Sequence, residues 1–220
     1  MAGRKKSGFP IGWLLFFAVL AAIGAWLWLH RAQLQDYMPQ NPAAADGKAG
    51  DPIHLRGKLQ VTAPPRDSEI GISADAVMLQ RSVEMYQWFE QCGEDNACRY
   101  SLTWSRMPMD SSKFREPKGH ENPPAPFKNT SFKAGEVRLG ELVVDPALVI
   151  AQRSPVDYPV KADALAPNMA ATFTAVDGVL YAGGDPAHPQ PGMLRIRYRV
   201  TPAGEAEITG IKRGNRIEAK

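Results

Sequence analysis

The sequence predicts a mainly β (α+β) protein, in which one N-terminal transmembrane helix is followed by an antiparallel, β-rich extracytoplasmic domain. Three observations lead to this fold class. Residues 11–29 contain no charged side chain, several later stretches alternate apolar with polar residues, and 19 prolines and 19 glycines impose frequent turns on the 220-residue chain. Frequent turns and short elements favour β structure over long helices.

Residues 11–29 predict the transmembrane helix. At a rise of about 1.5 Å per residue the segment spans about 28 Å, close to the hydrocarbon core of roughly 30 Å, and it lacks the polar face of a soluble helix. A cleaved signal peptide is the alternative, but the apolar run continues into His30 and Arg31 without a small-x-small cleavage site. Indoles prefer the headgroup level of a membrane, so the predicted anchor residues are Trp13, Trp26 and Trp28.

The charges that flank this helix predict its orientation. Arg4, Lys5 and Lys6 precede it and Arg31 closely follows it, so the positive-inside rule places the N-terminus in the cytoplasm. The chain has 26 basic and 23 acidic residues, and its formal excess of +3 equals the charge of the three N-terminal residues. The rest of the chain is formally neutral, which argues against a nucleic-acid partner.

Four parts follow from these observations. A cytoplasmic basic tail covers residues 1–10, the transmembrane helix covers residues 11–29, a linker of small and polar residues covers 30–51, and the extracytoplasmic β-rich domain covers 52–220. The length beyond the helix is enough for one sizeable domain or two small ones.

Alternation with a period of two predicts the strands of this domain. They are expected at residues 53–61, 77–90, 99–107, 137–144, 193–200 and 208–211. Arg81 and Gln87 interrupt the apolar face of residues 77–90, which leaves a helix as the alternative there. The strand that follows favours a hairpin.

Turns and short helices fill the remaining segments. Asp145 is a predicted N-cap for a short helix at 146–152, and a second short helix is expected at 163–170. Asp177-Gly178 predicts a hairpin turn.

Cys92 and Cys98 bracket the tip of the predicted hairpin and are the two cysteines of the chain. Outside the cytoplasm thiols tend to pair, so a disulfide is the favoured interpretation. Free thiols and a metal site are the alternatives. A metal would need further ligands, and the neighbouring histidines along the chain, His54 and His120, are both distant in sequence.

A row of arginines marks the strand at residues 193–200. Arg195, Arg197 and Arg199 alternate with apolar residues, and such a row could contact phosphates or anionic lipid headgroups. The competing interpretation, which the pattern favours, is the solvated face of an amphipathic strand.

Residues 110–126 form a long predicted loop, a length that indicates either a functional or a mobile segment. Its His120, Glu121 and Asp110 resemble an acid–base or metal setting only superficially, and a solvated loop is the favoured interpretation. The sequence contains no Gly-x-Ser-x-Gly elbow, His-Glu-x-x-His motif, phosphate loop or dinucleotide fingerprint. No enzyme activity and no cofactor are predicted.

Several short motifs run in order along the hairpin and the loop. They are Val83-Glu-Met-Tyr-Gln-Trp88, Tyr100-Ser101, Thr103-Trp104, Asp110-Ser-Ser-Lys-Phe114 and Gly119-His-Glu-Asn-Pro123. Taken in this order they resemble the luminal domain of the transmembrane protein 43 (LUMA) family, and weaker similarity extends over residues 52–217. The resemblance singles out the motif residues Glu84, Met85, Trp88, Trp104, Asp110, Phe114, Gly119, His120, Asn122 and Pro123.

The resemblance implies a membrane protein, in the bacterial inner membrane with a periplasmic domain or in the endoplasmic reticulum and nuclear envelope of a eukaryote. It implies no catalytic residues. Family members continue into three further membrane helices, so we expect a bacterial-type member that lacks them. The predicted function is a non-enzymatic, membrane-anchored scaffold that contacts the lipid bilayer and other membrane or envelope proteins. The alternative is a ligand- or lipid-sensing domain with residues 110–126 as its binding edge.

Overall fold

The computed structural model describes residues 25–26, 48–165 and 167–219. The chain divides into two compact units, residues 1–43 and 44–220. Of the predicted transmembrane helix, Ala25 and Trp26 are described and both are helical, whereas Trp13 and Trp28 lie outside the described residues. Within the described ranges, no helix combines the length and the apolar character needed to cross a bilayer.

The second unit is mainly β, as the sequence predicts. Within its described residues the strands are β1 (Pro52–Ala63), β2 (Arg66–Asp67), β3 (Ile72–Ser73), β4 (Met78–Cys92), β5 (Cys98–Ser105), β6 (Thr130–Lys133), β7 (Glu136–Leu139), β8 (Leu142–Val144), β9 (Val156–Tyr158), β10 (Thr174–Val176), β11 (Val179–Ala182), β12 (Leu194–Thr201), β13 (Gly204–Arg213) and β14 (Arg216–Glu218). Two short α-helices, α1 (Pro146–Ile150) and α2 (Pro167–Ala170), and 3₁₀ turns at Ser111–Lys113 and Ala162–Ala164 complete the elements.

Five of these strands close into a small barrel in the order β1-β13-β14-β8-β7. All neighbours are antiparallel except β14 and β8, which run parallel. The long β1 closes the barrel because its first part pairs with β13 and its second part pairs with β7, with a bulge between Val61 and Ala63. Helix α1 follows the third barrel strand. This connectivity is that of the oligonucleotide/oligosaccharide-binding (OB) barrel, a similarity of fold that does not by itself assign a function.

A second, seven-stranded sheet is built entirely from two insertions into the barrel. Residues 64–135, between β1 and β7, supply β4, β5 and β6, and residues 151–203, between α1 and β13, supply β9 to β12. The two insertions meet where β12 pairs with β4 over eight residues, from Leu194 opposite Met85 to Thr201 opposite Met78. That pairing makes one sheet from two distant parts of the chain.

Each sheet has its own hydrophobic core. Alternation along the barrel strands turns Leu59, Val137 and Ile208 into the barrel interior, whereas Leu79 and Ile196 belong to the core beneath the seven-stranded sheet. All five side chains are at most 2% exposed. The period-two pattern of the sequence therefore produces two cores within one compact unit.

A buried ion pair in the first insertion, together with a hydrogen bond from the second, ties the two insertions together beneath the sheet. The Asp67 carboxylate is fully buried and lies 2.7 Å from Nη1 of Arg81, and it also accepts a 2.6 Å hydrogen bond from the Tyr198 hydroxyl. Arg81 further contacts Glu69 and donates to the Lys128 carbonyl at 3.0 Å. Burial raises the pKa of the Tyr198 phenol above its ordinary value, and the hydrogen bond to Asp67 raises it further. Tyr198 therefore stays a donor at every physiological pH.

Most of the predicted elements are confirmed, and three boundaries are wrong. The 77–90 and 99–107 hairpin forms as β4 and β5, and Asp145 caps α1 through its hydrogen bond from the Ala147 amide. The predicted strand 137–144 is a hairpin of β7 and β8, because Gly140 adopts a φ of 59° and reverses the chain. The predicted helix 163–170 is a 3₁₀ turn followed by α2, because proline fits the first turn of a helix and not its interior. The predicted final strand 208–211 begins at Gly204 and ends at Arg213.

Removing Arg81 should destabilise the protein much more than removing the Tyr198 hydroxyl. Arg81→Met leaves the Asp67 charge buried without a partner and should lower the free energy of unfolding by about 3–5 kcal/mol. Tyr198→Phe removes one hydrogen bond to a charged group and should cost about 1.5–3 kcal/mol. Denaturant titration of the full chain, followed by tryptophan fluorescence, measures both. The exposed Arg99→Met is the control, with an expected change within about 0.5 kcal/mol. Equal costs for Arg81→Met and Tyr198→Phe would contradict this account.

Candidate functional site

The outer face of the seven-stranded sheet, opposite its core, carries the polar and aromatic side chains of β4, β5, β11 and β12. Along β4 the odd-numbered residues from Leu79 to Gln87 are buried, so the even-numbered ones point outward. The arginines of β12 pair with these outward residues: Arg195 lies opposite Glu84, Arg197 opposite Ser82, and Arg199 opposite Gln80. The predicted arginine row therefore lies on this outer face.

Glu84 gathers three guanidinium groups. Its Oε2 accepts hydrogen bonds from Nε of Arg195 at 2.6 Å and from Nη1 of Arg197 at 2.7 Å, and its Oε1 lies 3.8 Å from Nε of Arg106. The Glu84 side chain is 14% exposed, whereas those of Arg197 and Arg106 are 43% and 65% exposed. One carboxylate is therefore shared by three cations, which leaves a local excess of positive charge.

An aromatic cluster covers one end of this charged group. The guanidinium of Arg195 lies 4.5 Å from the centre of the Trp104 ring, a cation–π contact. The Trp104 ring also contacts Tyr86 at 5.3 Å and Tyr181 at 6.3 Å between ring centres. Since β5 and β11 are separated by β4 and β12, the indole extends across the face of the sheet. The cluster places Trp, Tyr and Arg side by side on an open surface.

The pKa of Glu84 reflects this setting. Burial raises the pKa of the carboxyl, but the hydrogen bond and charge of Arg195, together with the charges of Arg197 and Arg106, outweigh burial and lower the pKa below its ordinary value. Glu84 is therefore ionised in the folded protein, and its negative charge holds the arginines in place.

The stabilising effect of Glu84 should disappear in acid. A carboxyl whose pKa is lower in the folded state stabilises the protein above its unfolded pKa, near 4.5, and that stabilisation is lost as the pH falls through the folded pKa. Glu84→Gln should therefore unfold more readily than the native chain at pH 7, and the gap should shrink below about pH 4.5. Denaturant titrations from pH 7 to pH 3 measure the gap. Glu94→Gln, at the exposed hairpin tip, is the control, and a gap that persists or widens in acid would refute the role of Glu84.

The loop 110–126 packs over the other end of the outer face. The His120 ring stacks on Tyr100 with 3.8 Å between ring centres and meets the edge of Trp88 at 4.8 Å. Phe114 contacts Tyr100 at 6.1 Å. Nδ1 of His120 also lies 2.8 Å from the Glu116 carbonyl. Trp88, Tyr100, Phe114 and His120, which are far apart in the sequence, thus form one cluster of rings, separate from the Trp104 cluster.

Two amide side chains hold this loop against the hairpin. Oδ1 of Asn122 accepts from the Trp88 amide at 2.7 Å, and its Nδ2 donates to the Trp88 carbonyl at 3.0 Å and to the Met109 carbonyl at 3.4 Å. Gln87, which is fully buried, donates to the Met107 carbonyl at 2.6 Å and accepts from the Met109 amide at 3.1 Å. The loop is therefore fixed by hydrogen bonds to the same strand that carries Glu84.

The remaining motif residues shape the loop and its surroundings. Asp110 caps the Ser111–Lys113 turn by accepting from the Ser112 amide at 3.2 Å, and Gly119 provides a φ of 85°. Met85 is buried in the core beneath the sheet. Pro123 packs so closely on Gly192 that a side chain at position 192 would clash with it.

Replacing Asn122 by Asp should loosen the loop. The substitution keeps the acceptor but turns the Nδ2 donor into a carboxylate oxygen that faces two carbonyls, so unfolding should become easier by about 1–3 kcal/mol. Limited trypsin digestion should then cut faster at Lys113, Arg115 or Lys118. Asn168→Asp, on the surface, is the matched control. Unchanged cleavage and stability in Asn122→Asp would show that the loop is held by other contacts.

The two cysteines form the disulfide that the sequence favoured. Cys92 and Cys98 are opposite one another at the end of the hairpin, with their Cα atoms 4.0 Å apart. Glu90 lies near both sulfurs, but the thiolates that a metal would need are joined to each other.

Comparison with known proteins places the chain in a family. A family model described as Transmembrane protein 43 matches residues 85–219. The chain belongs to the transmembrane protein 43 family. The human Transmembrane protein 43 is 30% identical over 120 residues, which are 49% of this chain and 30% of the human protein. The Drosophila melanogaster homologue is 32% identical over 90 residues, covering 35% of this chain and 24% of that protein.

The match confirms the resemblance inferred from the ordered motifs, and the name of the family describes its members as membrane proteins. The chain spans less than a third of the length of these transmembrane protein 43 relatives. No solved structure matches it significantly. The matched residues 85–219 include the loop, β5 and the arginine strand β12, so most of the outer face lies within the transmembrane protein 43 region.

Several residues that build this site are not among the residues that the sequence singles out. Gln87 interrupts the apolar face of its strand, and a buried amide at such a position signals a side chain with fixed partners. Asn129 fills the gap between β5 and β6 by accepting from the Val83 amide at 2.7 Å, and no local pattern predicts that contact. Tyr86 joins the face because it shares the outward parity of β4, whereas Arg106 lies just after the end of β5 and follows no strand pattern.

Proposed function

We propose that this protein is a non-enzymatic, membrane-anchored docking protein, whose extracytoplasmic domain binds an acidic segment of another membrane or envelope protein. The docking surface consists of Tyr86, Trp104, Val176, Tyr181 and Arg195 on the outer face of the seven-stranded sheet. The observation that carries the proposal is the Arg195–Trp104 pair, flanked by two tyrosines and by arginines in excess over carboxylates. Trp, Tyr and Arg are the residue types that dominate binding energy at protein interfaces.

Charge complementarity favours an acidic partner. Arg197 and Arg106 share the Glu84 carboxylate with Arg195, so a further carboxylate from a partner would find donors still available. Val176, opposite Val179 of the neighbouring strand, adds an exposed apolar side chain, at 39% exposure. The predicted anchor at residues 11–29, which agrees with membership in a membrane-protein family, would keep the domain attached to the bilayer. The Cys92–Cys98 disulfide is consistent with a domain outside the cytoplasm.

Ligand or lipid sensing is the second candidate. The loop 110–126, suggested by the sequence as the binding edge, is tied to β4 by Asn122, and Gln87 of β4 fixes the residues that lead into the loop. This favours a rigid cover over a moving edge. The arginines remain suited to an anionic ligand. The two functions therefore differ in what contacts the outer face.

Site-specific photocrosslinking in the full chain tests the docking proposal. A photoreactive residue at Val176, on the docking surface, should form an adduct with one acidic membrane or envelope protein when irradiated in cell membranes. The same residue at Lys58, on the barrel, is the positional control and should not form that adduct. Adding Trp104→Ala should reduce the Val176 adduct by about tenfold, because truncating a central interface aromatic removes a large share of binding energy.

The identity of the adduct decides between the outcomes. An adduct with a second copy of this chain or with lipid would overturn the proposal, and the lipid result would support sensing. An adduct that survives Trp104→Ala, in protein whose thermal unfolding is unchanged, would also overturn it. The proposal would also be overturned if the photoreactive residue at Val176 formed no more adduct than the one at Lys58.

A further inference from the structure

We propose that a pocket beside the docking surface binds a phosphate group carried on a larger molecule. The pocket has a volume of about 480 Å³ and is lined by Gln80, Arg81, Ser82, Arg106, Asn129, Thr130, Ser131 and Arg199. None of its residues belongs to the docking surface, although Arg106 also contributes to the positive charge beside that surface. The proposal stands on the pocket alone and does not depend on a protein partner.

The strand register explains why these residues converge. Gln80 of β4 lies opposite Arg199 of β12 on one side and opposite Ser131 of β6 on the other. Directly opposed side chains on one face of a sheet have Cβ atoms about 5 Å apart. The amide and the hydroxyl therefore form a polar floor beside the guanidinium of Arg199.

A second guanidinium closes the other side of the pocket. Arg106 follows the last residue of β5, and β5 and β6 are both neighbours of β4, opposite β12. Asn129 connects this corner, because its side chain accepts from the Val83 amide at 2.7 Å and donates to the Arg106 carbonyl at 3.4 Å. β4 therefore runs between two arginines that come from different insertions of the chain.

The charges at the pocket are only partly matched. Nε of Arg106 is 3.8 Å from Glu84, a carboxylate already occupied by two other arginines. Arg199 donates to the Pro155 carbonyl at 2.6 Å and lies 3.3 Å from Asp157, whose side chain is 94% exposed. Within the described residues, the side chains of Gln80, Ser82 and Ser131 make no hydrogen bond to other protein groups. The lining thus offers cationic and neutral donors to an incoming anion.

This set of donors suits a phosphate better than a carboxylate. Guanidinium groups bind phosphate oxygens in pairs of parallel hydrogen bonds, and the neutral hydroxyl and amide groups can serve the remaining oxygens of a tetrahedral anion. A carboxylate has two oxygens and would leave part of the lining unused. The volume exceeds that of the anion itself, which leaves room for the group that carries the phosphate. A phospholipid headgroup and a soluble phosphomonoester share this chemistry.

Binding is tested on the full chain in uncharged maltoside micelles, with thermal unfolding and titration calorimetry as readouts. The probes are inorganic phosphate, glycerol 3-phosphate and dihexanoyl phosphatidic acid, with dihexanoyl phosphatidylcholine as the zwitterionic control. The pocket variant is Arg106→Gln with Arg199→Gln. The matched control is Arg56→Gln with Arg99→Gln, which removes the same charge from exposed positions on other parts of the surface.

The pocket variant should bind the phosphate probes at least about tenfold more weakly than the native chain. The affinity of the control variant should differ from that of the native chain by less than about twofold. Ser131→Asp, which adds a carboxylate to the floor at an exposed position, should weaken binding similarly. Binding of glycerol 3-phosphate supports a soluble source, and binding of phosphatidic acid alone supports a headgroup. Equal weakening in the pocket and control variants would overturn the proposal, as would the absence of phosphate binding to the native chain. The phosphate-binding measurement does not depend on the Val176 crosslink, so failure of the docking proposal would not affect it.

Discussion

The buried carboxylate of Asp67 is the constraint on which the arrangement of the sheet depends. A charge that is taken out of water must find partners, and here they come from both insertions of the barrel: Arg81 from the first and Tyr198 from the second. Those partners lie on β4 and β12, the two strands whose pairing makes one sheet. Because the side chains below the sheet fix this register, the arginines above it are fixed opposite Glu84, Ser82 and Gln80. The pairing of β4 with β12 therefore determines both the polar network in the core and the arrangement of side chains on the outer face.

The features of the fold that could be predicted from the sequence are those set by residues close together in the chain. Alternation along β4 and β12 predicted both strands and the outward arginine row, and Asp177-Gly178 predicted its hairpin, with φ of 50° and 78° at the two residues. The partner of Asp67 at position 198 is 131 residues away, so no local pattern could identify it. Arg81 and Gln87 interrupt the apolar pattern of the strand because they are inward polar residues, and each of their side-chain nitrogen and oxygen atoms has a hydrogen-bond partner. The break at Gly140 was missed because apolar residues continue on both sides of the turn.

The sequence identifies many residues of the candidate site, but it does not predict how their side chains are arranged. The ordered motifs brought Trp88, His120 and Asn122 to notice, and the structure explains why they occur together: ring stacking and amide hydrogen bonds join the loop to β4. The arginine row has two interpretations from the sequence, an anion contact and a solvated face. The structure adds the surroundings of the row: the Arg195 guanidinium lies against the Trp104 indole, and three guanidinium groups surround one carboxylate. The bridging residues Arg106 and Asn129 lie just outside the strands, after the end of β5 and before the start of β6, where side-chain direction cannot be inferred from periodicity.

The hydrogen bonds between Asn122 and the backbone of Trp88 also bear on association between molecules. β12 begins opposite Met85, so the hairpin of β4 and β5 projects beyond the start of β12 with one edge of β4 uncovered by a strand. The Tyr86 backbone is paired there by Gly192 and Met193, and the Trp88 backbone is paired by the Asn122 amide. Exposed strand edges recruit strands from other chains. The loop therefore occupies hydrogen-bonding groups that would otherwise be open to edge-to-edge aggregation, and it does so without adding a strand that would create a new edge.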